Sequence, residues 1–419
     1  MPAYSQLKTP IDPSIYDLIV IGGGAAGFFG AINLAEINKG AQILILEKST
    51  KLLTKVKVSG GGRCNVTHQC VSPAELSQHY PRGQKQLKNI FHQFQATDTI
   101  AWFKKYGVDI KTEADGRMFP TTNNSQTIID CFLGLAKKYN IEIKLSEEVE
   151  RIEKDANRFT IYTNEKYHAK KILVTTGGYN KPENYGWLKN LGHEIIKPIP
   201  SLFTFNNPEK QFATLMGVAV PQAEVRIAGT KFSQQGAVLI THWGLSGPAV
   251  IKLSAWAAVY LHQNNYTFTA LVNWTGESEL NVRKHLMNLK QQNSKKTINT
   301  SPQFALPKRL WEALCVQAGV EEGKIWAEIP NKIVNRLIEL LYACPFAIKG
   351  KTTFKEEFVT CGGVSLTDID LSTLESKKVR GLYFAGEVLD VDGETGGFNF
   401  QAAWSPAWVA AKHLALDLQ

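Results

Sequence analysis

Tyr16-Asp17-Leu18-Ile19-Val20-Ile21-Gly22-Gly23-Gly24-Ala25-Ala26-Gly27 opens a segment that runs through a helix-forming stretch to Ile37 and on to Ile43-Leu44-Ile45-Leu46-Glu47. An apolar run ending in glycines, a helical stretch, and a second apolar run ending in an acid read as one βαβ unit. Parallel strands need a crossover, so this unit implies a parallel sheet with helices on its faces. Gly22, Gly24 and Gly27 match the pattern G-x-G-x-x-G. Its first glycine allows the tight turn, its second lets backbone amides reach a pyrophosphate, and its third lets helix and strand pack closely. Glu47 stands 20 residues beyond Gly27, where a carboxylate accepts the hydroxyls of a ribose. An acid there favours a free 2′-hydroxyl, hence FAD or NAD over a 2′-phosphorylated dinucleotide.

Outward from this unit, Ser125 to Tyr139 reads as a helix leading to a strand at Ile141 to Leu145. Val149 to Lys154, Arg158 to Thr163 and Lys166 to Ala169 alternate as in a β-meander, before the apolar Ile172-Leu173-Val174 reaches Thr175-Thr176-Gly177-Gly178. From about Lys197 the character changes to short β-rich pieces punctuated by Pro198, Pro200, Pro208 and Pro221. Glu277 to Gln292 and Pro307 to Tyr342 then read as mainly helical. Strand and glycine chemistry returns at Phe354 to Gly363 and Gly381 to Gly386, followed by a helix from about Asn399 to Leu416. The expected organisation is a discontinuous nucleotide-binding domain, 1–196 and 346–419, interrupted by a β-rich domain, 197–275, and a helical subdomain, 276–345.

The 419 residues include 47 Lys and Arg against 38 Asp and Glu, a net charge of +9, with 44% apolar residues. Such a chain collapses into cores, so global disorder is excluded. No apolar run approaches the ~20 residues that a bilayer core demands, and the amino terminus has no secretory pattern, so the expectation is a cytoplasmic protein. The basic excess comes from scattered lysines with no long run, which weighs against a nucleic-acid partner. Six cysteines in a chain this long make no disulfide framework. No C-x-x-C or H-E-x-x-H spacing suggests a metal, and no G-x-S-x-G elbow is present.

Flavin against nicotinamide is decided at the far end of the chain. Gly381-Leu382-Tyr383-Phe384-Ala385-Gly386-Glu387 is a strand ending in Gly-Glu, and Gly396-Gly397-Phe398-Asn399-Phe400-Gln401-Ala402-Ala403 starts the next helix. A second element of this kind suits the ribityl chain and ring of a flavin, with the free amides of the helix aimed at the ring. A second G-x-G-x-x-G is absent, so either NAD(P)H acts as a transient reductant at a site without that motif, or the substrate itself reduces the flavin.

Several further motifs are Ser59-Gly60-Gly61-Gly62-Arg63-Cys64-Asn65-Val66-Thr67, Asp115-Gly116-Arg117-Met118-Phe119-Pro120, Thr241-His242-Trp243-Gly244-Leu245-Ser246-Gly247-Pro248, Thr360-Cys361-Gly362-Gly363-Val364, and Ala385 to Gly393. In this order they resemble the bacterial flavoprotein family of aminoacetone oxidases and BaiN-like NAD(P)/FAD-dependent oxidoreductases, over nearly the whole chain. The resemblance implies a bound FAD and an α/β fold: a Rossmann-type FAD/NAD(P)-binding domain with an inserted β-barrel and helical subdomain. It also implies amine oxidation or enone reduction on a small substrate, without fixing which. The other readings are a tRNA-modifying flavoprotein and a non-catalytic FAD-binding protein.

Candidate cofactor contacts are Gly22, Gly24, Ala25, Ala26, Gly27, Glu47, Lys48, Val149, Thr176, Gly177, Gly386, Glu387, Gly396, Gly397, Asn399, Gln401 and Ala402. Gly62, Arg63, Cys64 and Asn65 join them in a glycine-rich loop with a fixed cation. For the chemistry itself the candidates are His242, Arg117 and Glu387, against the plainer roles of a structural histidine, a salt bridge from Arg117 to Asp115, and a solvated loop acid. Cys64 and Cys70 are separated by five residues where a flavin-linked redox disulfide has four, and no His-Glu pair closes the chain. Free thiols are therefore expected. The inserted domain is expected to cover the flavin, since pockets favour domain junctions.

Overall fold

The computed structural model describes residues 15–70, 72–156, 158–209, 212–352 and 359–418. The chain forms two compact units, Met1–Pro198 with Val359–Gln419, and Ile199–Phe358.

In the first unit, strand β1 (Ile15–Ile21) lies between β2 (Ile43–Glu47) and the strand Lys166–Val174, parallel to both. Glu142–Leu145 extends this sheet beyond β2, and Leu382–Phe384 joins Lys166–Val174, again in parallel. The meander strands Arg151–Lys154 and Phe159–Tyr162 complete seven strands. Leu18, Ile19 and Val20 are fully buried, as a strand covered on both faces requires.

Helix α1 (Ala25–Ile37) carries buried residues all round, Ala26 to Ala35, because the sheet covers one side and the carboxy-terminal helix Phe398–Asp417 the other. Gly30 allows this closeness: a Cβ there would stand 2.6 Å from Leu173 Cδ2. An aromatic cluster seals the layer, with the Phe29 ring 4.6 Å from Trp102 and 5.3 Å from Trp404. Rings at these separations add packing energy beyond the area they bury.

The second unit is built on seven antiparallel strands in the order Cys344–Lys349, Thr267–Asn273, Ala219–Ile227, Ser233–Ile240, Gly244–Ser246, Thr204–Asn206, Lys351–Thr352. The sheet curls, since the Asn207 side-chain amide donates to Ala347 O at 2.7 Å and so ties one end to the other. Helices Glu279–Gln292, Lys308–Ala318 and Asn331–Ala343 pack their apolar faces into the same core. Cys344–Lys349 alternates buried and exposed residues and pairs with Thr267–Asn273. The expected return to the nucleotide-binding domain at residue 346 falls inside this strand, whereas the first unit resumes at Val359. The expected strand from Phe354 begins outside the described residues, and the strand Val359–Val364 accounts for the rest of it.

Candidate functional site

The glycine turn explains its own composition. Gly22 has φ 112°, and a Cβ there would lie 2.5 Å from Thr175 O. A Cβ on Gly27 would lie 2.1 Å from Gly22 O. The Thr175 hydroxyl locks the same crossing by donating to Ile21 O and Gly22 O, both at 3.0 Å. Gly24 differs, because a Cβ there would meet nothing within 4 Å. It is the residue before α1 and offers no side-chain cap. The first amide to bond back is that of Phe28, to Gly24 O at 3.1 Å. The amides of Ala25, Ala26 and Gly27 thus bond no carbonyl of the helix, and the space at Gly24 just before them is open, the arrangement that receives a phosphate.

Glu47 is fixed beside this turn. Its Oε2 accepts from the Gly23 amide at 2.8 Å and its Oε1 from the Ser49 amide at 2.9 Å. The Glu147 amide donates to Glu47 O at 3.0 Å, which brings up the segment that carries Val149. Val149, Glu148, Tyr179, Glu183 and Trp187 line a cleft of about 400 Å³. Lys48 Nζ stands 5.2 Å from the Tyr179 ring centre, near the same cleft. Open space at Gly24, uncapped amides and a fixed carboxylate fit a dinucleotide, with its pyrophosphate at α1 and a ribose at Glu47.

The expected carboxy-terminal contacts meet the turn. Gly386 has φ 81°, and a Cβ there would lie 3.1 Å from Ala26 Cβ. Glu387 Oε2 pairs with Lys55 Nζ at 2.6 Å, and its Oε1 accepts from the Thr360 amide at 2.9 Å. A Cβ on Gly178 would lie 2.9 Å from that Oε1 and 2.4 Å from Thr360 Oγ1, while Gly177 has φ 71°. Thr176 Oγ1 donates to Gly177 O at 3.2 Å. Among the described residues, two buried side-chain oxygens, Thr360 Oγ1 and Asp390 Oδ1, have no hydrogen-bond partner. Burial pushes the Asp390 carboxyl above its ordinary range, and the Arg82 charge and the Gly362 amide pull it back only in part.

The loop at Ser59 breaks its helix, and Gly60, Gly61, Gly62 and Cys64 all take positive φ, from 59° to 82°. Gly61 and Gly62 face open space. Arg63 is already engaged, with Nη1 2.6 Å from Glu113 Oε1 and its guanidinium 4.0 Å from the Phe119 ring centre. Arg117 bonds Asp115 at 2.7 Å and Glu113 at 3.2 Å, so the plainer salt-bridge role is the one observed. Asn65 Oδ1 accepts from the Met118 amide at 3.3 Å. A Cβ on Gly397 would lie 2.9 Å from Asn65 Oδ1 and 2.5 Å from Thr67 O. The loop and the start of the last helix are therefore in contact at Gly396-Gly397.

Asn399 and Gln401 spend their polar atoms on the protein. Asn399 Oδ1 accepts from the Gly393 amide at 2.9 Å, and its Nδ2 donates to Gly393 O at 3.0 Å. Gln401 is fully buried; it accepts from Thr67 at 2.6 Å and Thr99 at 3.0 Å, and donates to Ser405 at 2.8 Å. These side chains set the shape of the helix start, and buried Ala402 packs behind them.

All six cysteines are free. Burial pushes the Cys64 and Cys70 thiols up to about 12, which makes both poor nucleophiles. His242 lies in the second unit, exposed, with its ring 4.3 Å from Trp243. No metal-binding group of acids, histidines and cysteines occurs among the described residues.

One pair was not visible in the sequence, where no His-Glu pair closes the chain. His79 Nδ1 and Glu394 Oε2 lie 3.1 Å apart, although 315 residues separate them. The His79 ring also stacks on Phe398 at 4.2 Å, beside Gly396-Gly397. No spacing rule links such distant positions; only the Gly393-Glu394 turn before the glycines hinted at them.

Comparison with known proteins places the chain. Ribosomal RNA dihydrouridine synthase of Haemophilus influenzae is 31% identical over 94% of this chain and 97% of its own length. The 3-dehydro-bile acid delta(4,6)-reductase of Clostridium scindens is 25% identical over 94% of this chain and 98% of its own. In fold, the chain is similar to the solved 3-ketosteroid delta1-dehydrogenase of Sterolibacterium denitrificans, with a TM-score of 0.50 and 11% identity over 96% of this chain and 100% of that one. The family described as HI0933-like protein Rossmann domain matches residues 16–413. The chain belongs to that family.

Proposed function

We propose that this protein is an FAD-dependent oxidoreductase that reduces a carbon–carbon double bond conjugated to a carbonyl. The observation that carries the cofactor is the open, uncapped start of α1 at Gly24 beside the fixed Glu47 carboxylate. Bound FAD supplies the hydride, so the residues around it bind, orient and exclude water. The amides of Ala25 and Ala26 hold the pyrophosphate, Glu47 the adenosine ribose, and Val149 and Tyr179 border the adenine in the 400 Å³ cleft. Gly177, Gly386 and Glu387 flank the ribityl chain, while Gly62, Asn65 and Gly396-Gly397 border the ring. Cys64 contributes its backbone there.

Enone reduction is favoured over amine oxidation because both named relatives act on the same chemical group. Uridine becomes dihydrouridine by saturating a double bond conjugated to a ring carbonyl, and a delta(4,6)-reductase of a 3-oxo acid acts on an extended enone. The relative at 31% identity favours a uracil base in ribosomal RNA as substrate, and it outweighs the scattered placing of the lysines behind the net charge of +9. A free enone is the second reading, favoured by the bile-acid reductase at 25%. NAD(P)H serves as transient reductant. Among the described residues no helix is long and apolar enough to cross a membrane, and free thiols suit the reducing cytoplasm.

Anaerobic reduction of the purified holoprotein by NADH or NADPH, followed by addition of ribosomal RNA or of a 4-en-3-one steroid, tests the reading. Reoxidation of the flavin with saturation of the double bond is expected for one of the two. If neither reoxidises it while a primary amine bleaches the oxidised flavin, the protein is an amine oxidase and this reading is wrong.

A further inference from the structure

Saturating a conjugated double bond requires a proton as well as a hydride, and within the first unit neither Arg117 nor Glu387 is free to give one. Arg117 is held by two carboxylates, and Glu387 is paired with Lys55. We propose that His79 delivers this proton and that Glu394 positions it; the inference rests on the enone-reductase reading above.

The geometry is that of a carboxylate–imidazole pair. Glu394 is buried, with 7% of its side chain exposed, and it takes His79 Nδ1 at 3.1 Å, whereas His79 keeps 31% exposure. The Glu394 amide also donates to His79 O at 2.9 Å, so the two residues are held through main chain and side chain together. With Nδ1 bonded to the carboxylate, the proton that can leave is on Nε2, for which the described residues provide no hydrogen-bond partner. A carboxylate on one nitrogen fixes the ring and its tautomer and leaves the other nitrogen for chemistry.

Position agrees with this role. Phe398, the first residue of the last helix, lies nearly parallel to His79 at 14° and 4.2 Å, and to His68 at 20° and 4.7 Å. A Cβ on Gly396 would stand 3.1 Å from Phe398 and 3.5 Å from His68. The pair therefore borders the glycines assigned to the flavin ring. The groups around it are Glu394, His68 with its ring centre 5.9 Å from that of His79, Cys70 at 3.7 Å from His68, and Tyr80, whose hydroxyl donates to Phe398 O at 2.7 Å.

In the step, the carbon β to the substrate carbonyl would take up the hydride that a bound, reduced flavin would supply. The Nε2–H bond of the His79 imidazolium breaks, and its proton forms the new C–H bond at the α carbon. The flavin is oxidised, the double bond reduced, and the neutral imidazole regains a proton from water at its exposed edge.

The test compares wild type with His79→Gln as holoproteins, using ribosomal RNA and a 4-en-3-one steroid as oxidants of the reduced flavin. The variant is expected to retain FAD and to be reduced by NAD(P)H at the wild-type rate, yet to be reoxidised by substrate about 100-fold more slowly. Glu394→Gln is expected to slow the same half-reaction by about tenfold and to move its pH profile, which a purely structural role would not do. If wild type is not reoxidised by either oxidant, the enone reading falls and this inference with it. If wild type is reoxidised and His79→Gln matches it within about threefold, only the assignment of His79 falls. A readout independent of turnover is carbethoxylation of the apoprotein by diethyl pyrocarbonate, mapped by mass spectrometry. Labelling of His79 that saturating FAD and steroid suppress is expected, and an unreactive or unprotected His79 overturns the proposal even if His79→Gln fails to fold.

Discussion

The amide of Gly23 donates to Glu47 Oε2 at 2.8 Å, so the glycine turn and the acid at the end of β2 are one piece of structure. The carboxylate is pre-set before any ribose arrives, and an ordered acceptor loses less entropy on binding. Glu47→Gln keeps the length of the side chain but replaces one charged acceptor by an amide. A hydrogen bond to a charged group contributes about 1.5–3 kcal/mol, so FAD should bind roughly ten- to a hundredfold more weakly. Titration of apoprotein with FAD, followed by quenching of flavin fluorescence, measures this. Unchanged affinity would remove Glu47 from the site.

The two kinds of glycine in the turn separate fold from cofactor. Gly27→Ala puts a methyl 2.1 Å from Gly22 O, a backbone atom that cannot yield; this should unfold the first unit or leave the protein insoluble. Gly24→Val places its side chain in open space at φ −96°. The apoprotein should melt within about 0.5 kcal/mol of wild type, as for substitutions that touch nothing, while flavin retention is lost. Thermal melts of the two apoproteins with flavin content after purification decide the matter; retained flavin in Gly24→Val contradicts the placement of the pyrophosphate.

Local signals carried most of this site. The turn, its helix and Glu47 lie within one βαβ unit, where tight turn, amide exposure and acid are consequences of neighbouring residues. Gly386 was legible for the same reason, and its approach to Ala26 then follows from the parallel pairing of Leu382–Phe384 with Lys166–Val174. What stayed hidden depends on distant partners. Asn399 and Gln401 were expected cofactor contacts, and what sequence could not show is that Gly393, Thr67, Thr99 and Ser405 engage their side-chain polar atoms. The strand Cys344–Lys349 shows its alternation in sequence but not that Thr267–Asn273 is its neighbour. Likewise His79 and Glu394 are ordinary residues until the fold joins them.

The cysteines give a prediction about pH. Burial raises the thiols of Cys64, Cys70 and Cys361 from 9.0 to about 12. The folded protein therefore holds these protons more tightly than the unfolded chain, and their contribution to stability is complete below pH 9 and lost as pH rises toward 12. At pH 8 the native protein should react with Ellman's reagent far more slowly than a free thiol, and all six cysteines should titrate in guanidinium. Cys64→Ser and Cys70→Ser should each leave reduction of the flavin by NAD(P)H within about twofold of wild type. Loss of reduction in either would restore the redox disulfide that the buried, separate thiols argue against.

Asp390 has the opposite relation to stability at neutral pH. Its Oδ1 is buried without a partner, and burial raises its carboxyl above the ordinary 3.8 despite the opposing Arg82 charge and Gly362 amide. A folded value above the unfolded one means that the carboxyl favours folding only while protonated, below pH 3.8; ionised at pH 7, it costs stability. The cost persists because Arg82, the cation that opposes it, is committed to the buried Asp392 in a two-pronged ion pair. Asp390→Asn removes the ionisation while keeping an acceptor for Gly362. It should stabilise the protein at pH 7 by about 1 kcal/mol, the scale for relieving an unsatisfied buried group. The gain should shrink as the pH falls from 7 toward the ordinary carboxyl value of 3.8, because the raised wild-type carboxyl takes up its proton before an unburied one would. Denaturant melts of both proteins at pH 7 and pH 4 measure the two differences. A variant less stable than wild type at pH 7 would show that the carboxylate has a compensating partner in the folded protein, and that Asp390 is held there by attraction rather than tolerated.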